Sequence, residues 1–367
     1  MGSNNGYKQN HTLFILGDRT KDIDYQKIYR ARHMLAGKPL FTKYLSYERV
    51  LHDQNMPNVE TKDIVVFFFF PFYYWNKHIE FLKSAGIYGN RNFYLKFRQF
   101  WGKIKKHLKK VYPDKNFYFL NSPDLLKKYR DKILVKEIIS KAGVKVPREL
   151  EIKRAKNIIE HLQSDGQLFI KPRYGSMGKG ITYLTKDNWY TNFLYKDQKI
   201  VSKKADYGWH FHNGITNDHT FLERLLEGDM MVEEAVDCFT VKKKRMDFRI
   251  YVFLNEALFI YPRTSALKNI TTNISQGGKG EYPSKLKLLP KTIVKKAKQQ
   301  AVAAAKALGL NFAGVDVMVN NDLDKVFVIE VNSFPALPRK KVVDLAGTML
   351  SKYSSYKWPK LSRMLKN

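Results

Sequence analysis

Asp316, Glu330 and Asn332 are three oxygen-donor side chains within one short stretch, Phe312 to Pro335, which reads FAGVDVMVNNDLDKVFVIEVNSFP. The runs Gly314–Val319 and Val326–Val331 are rich in β-branched and apolar residues, and they flank the turn-like Asn320-Asn321-Asp322. That pattern predicts a strand, a tight connection and a second strand. Glu330 and Asn332 are two positions apart, so a strand points them to one face. An antiparallel hairpin brings Asp316 beside them. Such a donor set suits Mg²⁺, which takes one or two carboxylates and leaves positions for phosphate oxygens. The competing reading is an exposed hairpin with solvated acids, since Asp and Glu are mostly exposed.

A second stretch bears on phosphate. A strand expected at Leu168–Lys171 runs into Pro172-Arg173-Tyr174-Gly175-Ser176-Met177-Gly178-Lys179-Gly180, and Ile181–Leu184 resumes a strand. A glycine-rich loop between two strands excludes a Walker A loop and a dinucleotide-binding fingerprint, which both need a following helix. Its glycines let backbone N–H groups approach phosphate oxygens, and Lys171 supplies charge. An ordinary flexible hairpin is the alternative. Met230–Val236 reads as a strand carrying Glu233 and Glu234. Asp247–Leu254 begins Asp-Phe-Arg, and its hairpin partner Ala257–Pro262 ends at Arg263. Asn273 to Gly278 is a polar, glycine-bearing loop.

The elements that must position these residues begin with an α/β unit over residues 11–120. His11–Leu16, Ile64–Phe70 and Phe117–Leu120 read as strands, the second buried on both faces, and Lys77–Ala85 as a helix. Asn90–Lys110 is a helical stretch in which Arg91, Lys96, Arg98 and five further lysines interleave with Phe93, Tyr94, Phe97, Phe100 and Trp101. It reads as a helix packing its aromatic face on the domain, with nucleic-acid binding as the alternative. Helices follow at Asp124–Tyr129 and Asp131–Ala142, the second with Lys132 at its front, and at Arg154–Leu162. Residues 188–228 look polar and irregular up to a helix at His219–Leu226. His210, His212 and His219 lie close in sequence, but no cysteine or well-placed carboxylate supports a metal site there. A long helix spans Pro290–Leu308, and the tail from Arg339 is basic and mostly helical to Tyr356.

The chain has 367 residues, enough for two or three domains, and 44% hydrophobic content argues against disorder. Lys plus Arg is 65 against 34 Asp plus Glu, a formal net charge of +31. Such an excess points to an acidic partner: nucleic acid, an anionic surface, an acidic protein or a polyanionic small molecule. The single cysteine, Cys238, excludes an internal disulfide and fits a reducing compartment. With neither a signal-peptide layout nor a membrane-length apolar run, the expectation is a cytoplasmic protein.

Taken in order, these features resemble the ATP-grasp superfamily, most closely the RimK-type (YheC/YheD-like) carboxylate–amine ligases. They are an early helix lysine, a lysine with a glycine-rich loop, an acidic strand, D-x-R, an arginine, N-x-S-x-G-G and G-V-D…E-V-N. The similarity spans roughly Asn121 to Pro338. It implies an α/β ATP-grasp fold in three parts: a Rossmann-like N-terminal domain over 1–122, a lid and ATP-binding part over 123–235, and a C-terminal catalytic domain with a basic helical tail over 236–367. By resemblance, Lys132 and Lys171 are the ATP-phosphate lysines, and Ser176, Met177 and Gly178 form the loop covering the phosphates. Glu233, Glu234 and Val236 belong to the hinge holding adenine through backbone groups. Asp316, Glu330 and Asn332 match the Mg²⁺ ligands, for two ions with Mn²⁺ as an alternative. Arg249, Arg263 and Asn273 lie around the γ-phosphate and substrate carboxylate.

The activity so implied is ATP-dependent activation of a carboxylate, such as an amino acid, as an acyl phosphate. An amine or thiol then displaces phosphate, with an acidic carrier protein or peptide as acceptor, in a homo-oligomeric enzyme. The alternatives are a small-molecule kinase on the same fold and a non-catalytic nucleotide- or nucleic-acid-binding protein.

Overall fold

The computed structural model describes residues 11–35, 41–52, 55–79, 89–201, 212–213 and 218–356. The N-terminal part holds β1 (His11–Leu16), α1 (Ile23–Arg30), β2 (Phe41–Leu45), α2 (Tyr47–Leu51), β3 (Asp63–Phe68), α3 (Phe72–His78), α4 (Arg91–Val111) and β4 (Asn116–Phe119). Its four strands form a parallel sheet in the order β2-β1-β3-β4. β1 and β3 are central, and β1 is buried at every position, so a continuous apolar run suits it better than alternation. α4 turns Phe93, Phe97, Phe100, Trp101, Ile104 and Leu108 into the core on one face of this sheet. The apolar run expected as a strand to Phe70 ends at Phe68, because Pro71 caps α3 from Phe72. α3 overlaps the helix expected over Lys77–Ala85 only at Lys77 and His78, and the rest of that span from residue 80 lies outside the described residues.

A connection through α5 (Pro123–Leu126), α6 (Lys132–Lys141) and α7 (Ala155–Gln163) leads to the second sheet. That sheet contains β5 (Leu168–Pro172), β6 (Thr182–Leu184), β7 (Trp189–Thr191), β10 (His212–Asn213) and β11 (Met230–Glu234) in the order β10-β7-β6-β5-β11. β8 (Leu194–Lys196) and β9 (Lys199–Val201) form a separate hairpin, and α8 (His219–Leu226) packs its core face with α7. The described part of the 188–228 segment before α8 is thus not irregular, since 189–201 holds three strands, while residues 202–211 and 214–217 lie outside the described residues. Trp189, Phe193 and Phe221 share one core, and strands of three residues are too short to display a period-2 pattern. His210 lies outside the described residues, and among these no cluster of three His, Cys, Asp or Glu side chains suits a metal.

The third sheet is antiparallel, in the order β15-β14-β13-β16-β17, from β13 (Lys244–Phe253), β14 (Glu256–Ala266), β15 (Lys279–Gly280), β16 (Phe312–Val319) and β17 (Val326–Asn332); β12 (Thr240–Val241) pairs with β13. α9 (Lys291–Ala307) covers one face, with Ala297, Ala301, Ala304 and Ala305 allowing close approach to the sheet. α6 joins this core through Val135 and Ile139. Likewise α10 (Leu345–Ser355) packs between the third sheet and the first, sharing a core with Leu13, Ile15, Val65 and Phe67. The Asn121 side chain seals that junction. Its Nδ2 donates to the Phe312 carbonyl at 2.7 Å, and its Oδ1 accepts from the Asn311 and Phe312 amides at 3.0 and 3.1 Å.

Candidate active site

The β16–β17 hairpin carries a bulge. Asp316 faces Glu330, yet the next pair is Val317 with Val328, leaving Ile329 extra on β17. The bulge reverses the parity of β17. Val326, Val328 and Val331 all reach the core, while Glu330 and Asn332 line a cavity on the opposite face. Asn332 Nδ2 lies 3.5 Å from Asp316 Oδ2. The cavity has a volume of about 1000 Å³ and is lined by the second and third sheets, α6 and parts of the N-terminal domain. All the site residues expected from the sequence line it: Lys132, Lys171, Ser176, Met177, Gly178, Glu233, Glu234, Val236, Arg249, Arg263, Asn273, Asp316, Glu330 and Asn332.

At one end of the cavity a row of paired charges crosses the third sheet. Arg263 on β14 grips Asp247 on β13 with two bonds, 2.8 and 2.6 Å. Arg249 on β13 grips Asp316 on β16 at 2.7 and 2.8 Å. Arg263 also reaches Asp316 at 3.3 Å, and Lys132 of α6 closes the row on Glu330. The cross-strand register places Asp247 opposite Arg263 and Arg249 opposite Asp316, so the sheet itself sets these ion pairs. Burial pushes the Asp316 carboxyl up, but Arg249 and Arg263 hold it below the ordinary carboxylate range. Glu330 behaves alike: burial raises it, Lys132 offsets this, and the net direction is down. Two ionised carboxylates across one rung, with an amide beside them, fit a divalent cation and its phosphate ligands. Asp316, Glu330 and Asn332 would hold it.

Near the other end, Glu233 on β11 is almost fully buried between two lysines. Its Oε2 accepts from Lys136 Nζ at 2.7 Å and its Oε1 from Lys171. Burial raises this carboxyl, yet the two cations bring it below its ordinary value. Through its side chain Glu233 is thus the shared counter-ion of both lysines. Its backbone pairs with Phe169 of β5, Glu234 donates to the Arg148 carbonyl at 2.9 Å, and Ala235 to that of Gln167 at 2.9 Å. Val236 forms no backbone hydrogen bond among the described residues and lines the cavity.

The glycine-rich loop is fixed from both sides. Asp131 caps α6 and holds the Arg173 guanidinium at 2.8 and 2.6 Å, while Lys132 Nζ donates to the Gly175 carbonyl at 3.0 Å. Opposite, Ser275 Oγ and Gln276 Nε2 donate to the Met177 carbonyl at 2.9 and 3.2 Å. Met177, Gly178 and Gly180 all have positive φ. At Gly178, φ is +67° and an added Cβ would lie 2.6 Å from Asn273 Nδ2. Gly178→Ala is therefore expected to lift the loop off the Asn273 loop. ATP consumption uncoupled from product should rise relative to wild type, read as the ratio of ADP to ligated product. A wild-type ratio would show that the contact does not shield the site.

Sequence reasoning missed Lys136, Asp131, Arg173 and Arg245. Lys136 is one helical turn beyond Lys132, which is the signal that would have found it. Arg245 lies two residues before Asp247 on β13 and lines the cavity; its buried Nε has no hydrogen-bond partner.

Residues 118–357 match a family model described as YheC/D-like ATP-grasp. The chain belongs to that family. A tetrahydromethanopterin:α-L-glutamate ligase of Methanosarcina acetivorans is 24% identical over 201 residues, 54% of this chain and 53% of its own. A probable α-L-glutamate ligase of Parasynechococcus marenigrum is 24% identical over 240 residues, 63% of this chain and 42% of its own. The chain thus spans about half the length of these curated relatives. Among solved structures, the ATP-grasp ligase PsnB with a phosphomimetic variant of its minimal precursor, Mg and ADP superposes with a TM-score of 0.55 at 14% identity. That match covers 93% of this chain and 97% of PsnB. The D-cycloserine synthetase DcsG gives 0.54 at 11% identity, covering 94% and 98%. At these identities the likeness establishes the ATP-grasp fold, including the N-terminal sheet that the family model leaves out.

Proposed function

We propose that the protein is an ATP-dependent carboxylate–amine ligase that forms ADP and phosphate. The observation that carries this reading is the charge row Arg263–Asp247–Arg249–Asp316–Glu330–Lys132 at one end of a cavity covered by the glycine-rich loop. In this reading adenine lies against Val236 and the apolar Met231 and Met318, with the phosphates under Ser176–Gly178, all of which line the cavity. Lys171 and Lys132 face the phosphate chain, and the unpartnered Arg245 Nε meets a ribose or phosphate oxygen. Mg²⁺, as one or two ions on Asp316, Glu330 and Asn332, neutralises charge between the β- and γ-phosphates when bound.

A carboxylate oxygen attacks the γ-phosphorus, the bond to the β–γ bridging oxygen breaks, and ADP leaves. The amine then attacks the acyl carbon. Arg249 and Arg263 stabilise the tetrahedral oxyanion, whose collapse expels phosphate as the amine loses its proton. The loop latched by Ser275 and Gln276 excludes water that would hydrolyse the acyl phosphate. The α-L-glutamate ligases among the relatives make glutamate the first carboxylate or amine to test. Solved neighbours carry precursor peptides, which supports a peptide as the second substrate. No helix among the described residues is long and apolar enough to cross a membrane.

The test is ADP and phosphate release with Mg²⁺ and ATP, screened over the amino acids with and without an acidic peptide. Release is expected to depend on one particular acid and to be lost in Glu330→Ala. AMP as product would rule out the acyl-phosphate route, and a stable phosphorylated product would establish a kinase instead.

A further inference from the structure

The outer face of α4 is a cationic strip that the chemistry above does not use. α4 is 21 residues long, about 31 Å at roughly 1.5 Å per residue, and contains no Asp or Glu. At 100° per residue its buried face takes all of Phe93, Phe97, Phe100, Trp101, Ile104 and Leu108, and Lys96, Arg98, Lys103, Lys106 and Lys109 point to solvent. Among the described residues Lys103, Lys106 and Lys109 form no ion pair.

The first turns of this helix are also a wall of the candidate active site. Phe97 lines the cavity, Tyr94 stacks on Tyr174 beside the glycine-rich loop with ring centroids 4.3 Å apart, and Arg130 lies over Phe93 and Phe97. Beyond the charge row, Lys279, Arg339 and Lys341 add positive charge to the cavity lining. Positively charged side chains therefore occur both in the cavity lining and along the outer face of α4.

We infer that α4 is a docking surface for an extended acidic segment of the peptide substrate, whose reacting group enters the cavity. This rests on the ligase reading above. An extended chain advances about 3.3 Å per residue, so roughly nine residues follow the helix. Two other polyanions fit less well. Single-stranded nucleic acid needs exposed aromatic rings for its bases, and four of the five aromatic side chains of α4 are buried under the helix. A membrane-surface helix buries an apolar face in lipid, whereas the apolar face of α4 is consumed by the domain core. A one-sided row of lysines, with Leu95 the one large apolar side chain exposed on α4, matches regularly spaced carboxylates.

The test uses the full chain, a fluorescent decaglutamate peptide, a glycine–serine peptide of equal length, oligo-dT and phosphatidylserine vesicles. The variant is Lys103→Glu/Lys106→Glu/Lys109→Glu, with Lys103→Gln/Lys106→Gln/Lys109→Gln as the milder second variant. Decaglutamate is expected to bind the wild type at low salt, at least about tenfold more weakly in the Glu variant and by an intermediate amount in the Gln variant. The glycine–serine peptide should not bind, and Mg²⁺–ATP affinity and melting temperature should stay at wild-type values in both variants. Decaglutamate binding that is unchanged in the variants, or absent from the wild type, overturns the proposal. So does variant-sensitive binding of oligo-dT or vesicles that exceeds decaglutamate binding. Loss of ATP binding by the wild type would instead remove the ligase reading, so the two failures are distinguishable.

Discussion

In Asp316→Ala, ADP release is expected to fall at least about 100-fold, because one substitution removes a proposed metal ligand and the shared counter-charge of two arginines. Asp316 holds Arg249 through both oxygens and Arg263 at 3.3 Å. Arg263 keeps Asp247, but Arg249 loses its only ion-pair partner among the described residues. A buried guanidinium without its carboxylate costs about 3–5 kcal/mol, so melting should drop by roughly 5–10 °C. Asn332→Ala provides the contrast. It touches the same rung through a 3.5 Å contact and carries no charge, so it should reduce turnover with little change in melting. Calorimetric melting together with ADP release checks both variants. Asp316→Ala turning over like wild type would remove the metal-ligand assignment, and melting like wild type would show that Arg249 finds another partner.

The residues of this row were legible because their chemistry is coded in types and short spacings. Gly314–Val319 and Val326–Val331 alternate well enough to announce a hairpin, and D-x-R at 247–249 puts two opposite charges on one strand face. The bulge at Ile329 was not legible, since a strict period of two would put Val328 and Glu330 on the same side. Nor was Glu233 as a buried counter-ion. An acidic residue on a strand carries no mark of the lysines that α6 and β5 bring to it from far along the chain. In the N-terminal domain β2 escaped notice because it is an edge strand with one fully buried residue, Leu45, and an edge strand needs little apolar alternation. α6 was recognised as a helix, but its packing partners were not legible. Its apolar positions say that it packs, whereas which core they enter is decided by contacts with α9 and β17.

Glu233 offers the sharpest separation of structure from chemistry. Glu233→Gln keeps the shape and leaves Lys136 and Lys171 facing each other without a counter-charge, at a cost of about 3–5 kcal/mol. Lys171 then loses the contact that aims it, so ATP affinity should fall about tenfold alongside stability. Lys136→Met alone preserves the Glu233–Lys171 pair and should cost less. Combining it with Glu233→Gln leaves one lysine able to turn toward the cavity, so the double variant should be more stable than Glu233→Gln. A positive coupling energy of roughly 1–3 kcal/mol in the double-mutant cycle is the expected result, and additivity would mean that the two lysines do not share this carboxylate. The pH dependence has a defined sign. Because the folded carboxyl titrates below its ordinary value, the pair contributes fully at neutral pH, and its contribution is lost as pH falls below about 4 through the folded value. Wild type should therefore lose more stability than Glu233→Gln between pH 5 and pH 3, values that bracket the ordinary carboxylate range of about 4. Equal acid slopes would show that this carboxyl is not held ionised by Lys136 and Lys171.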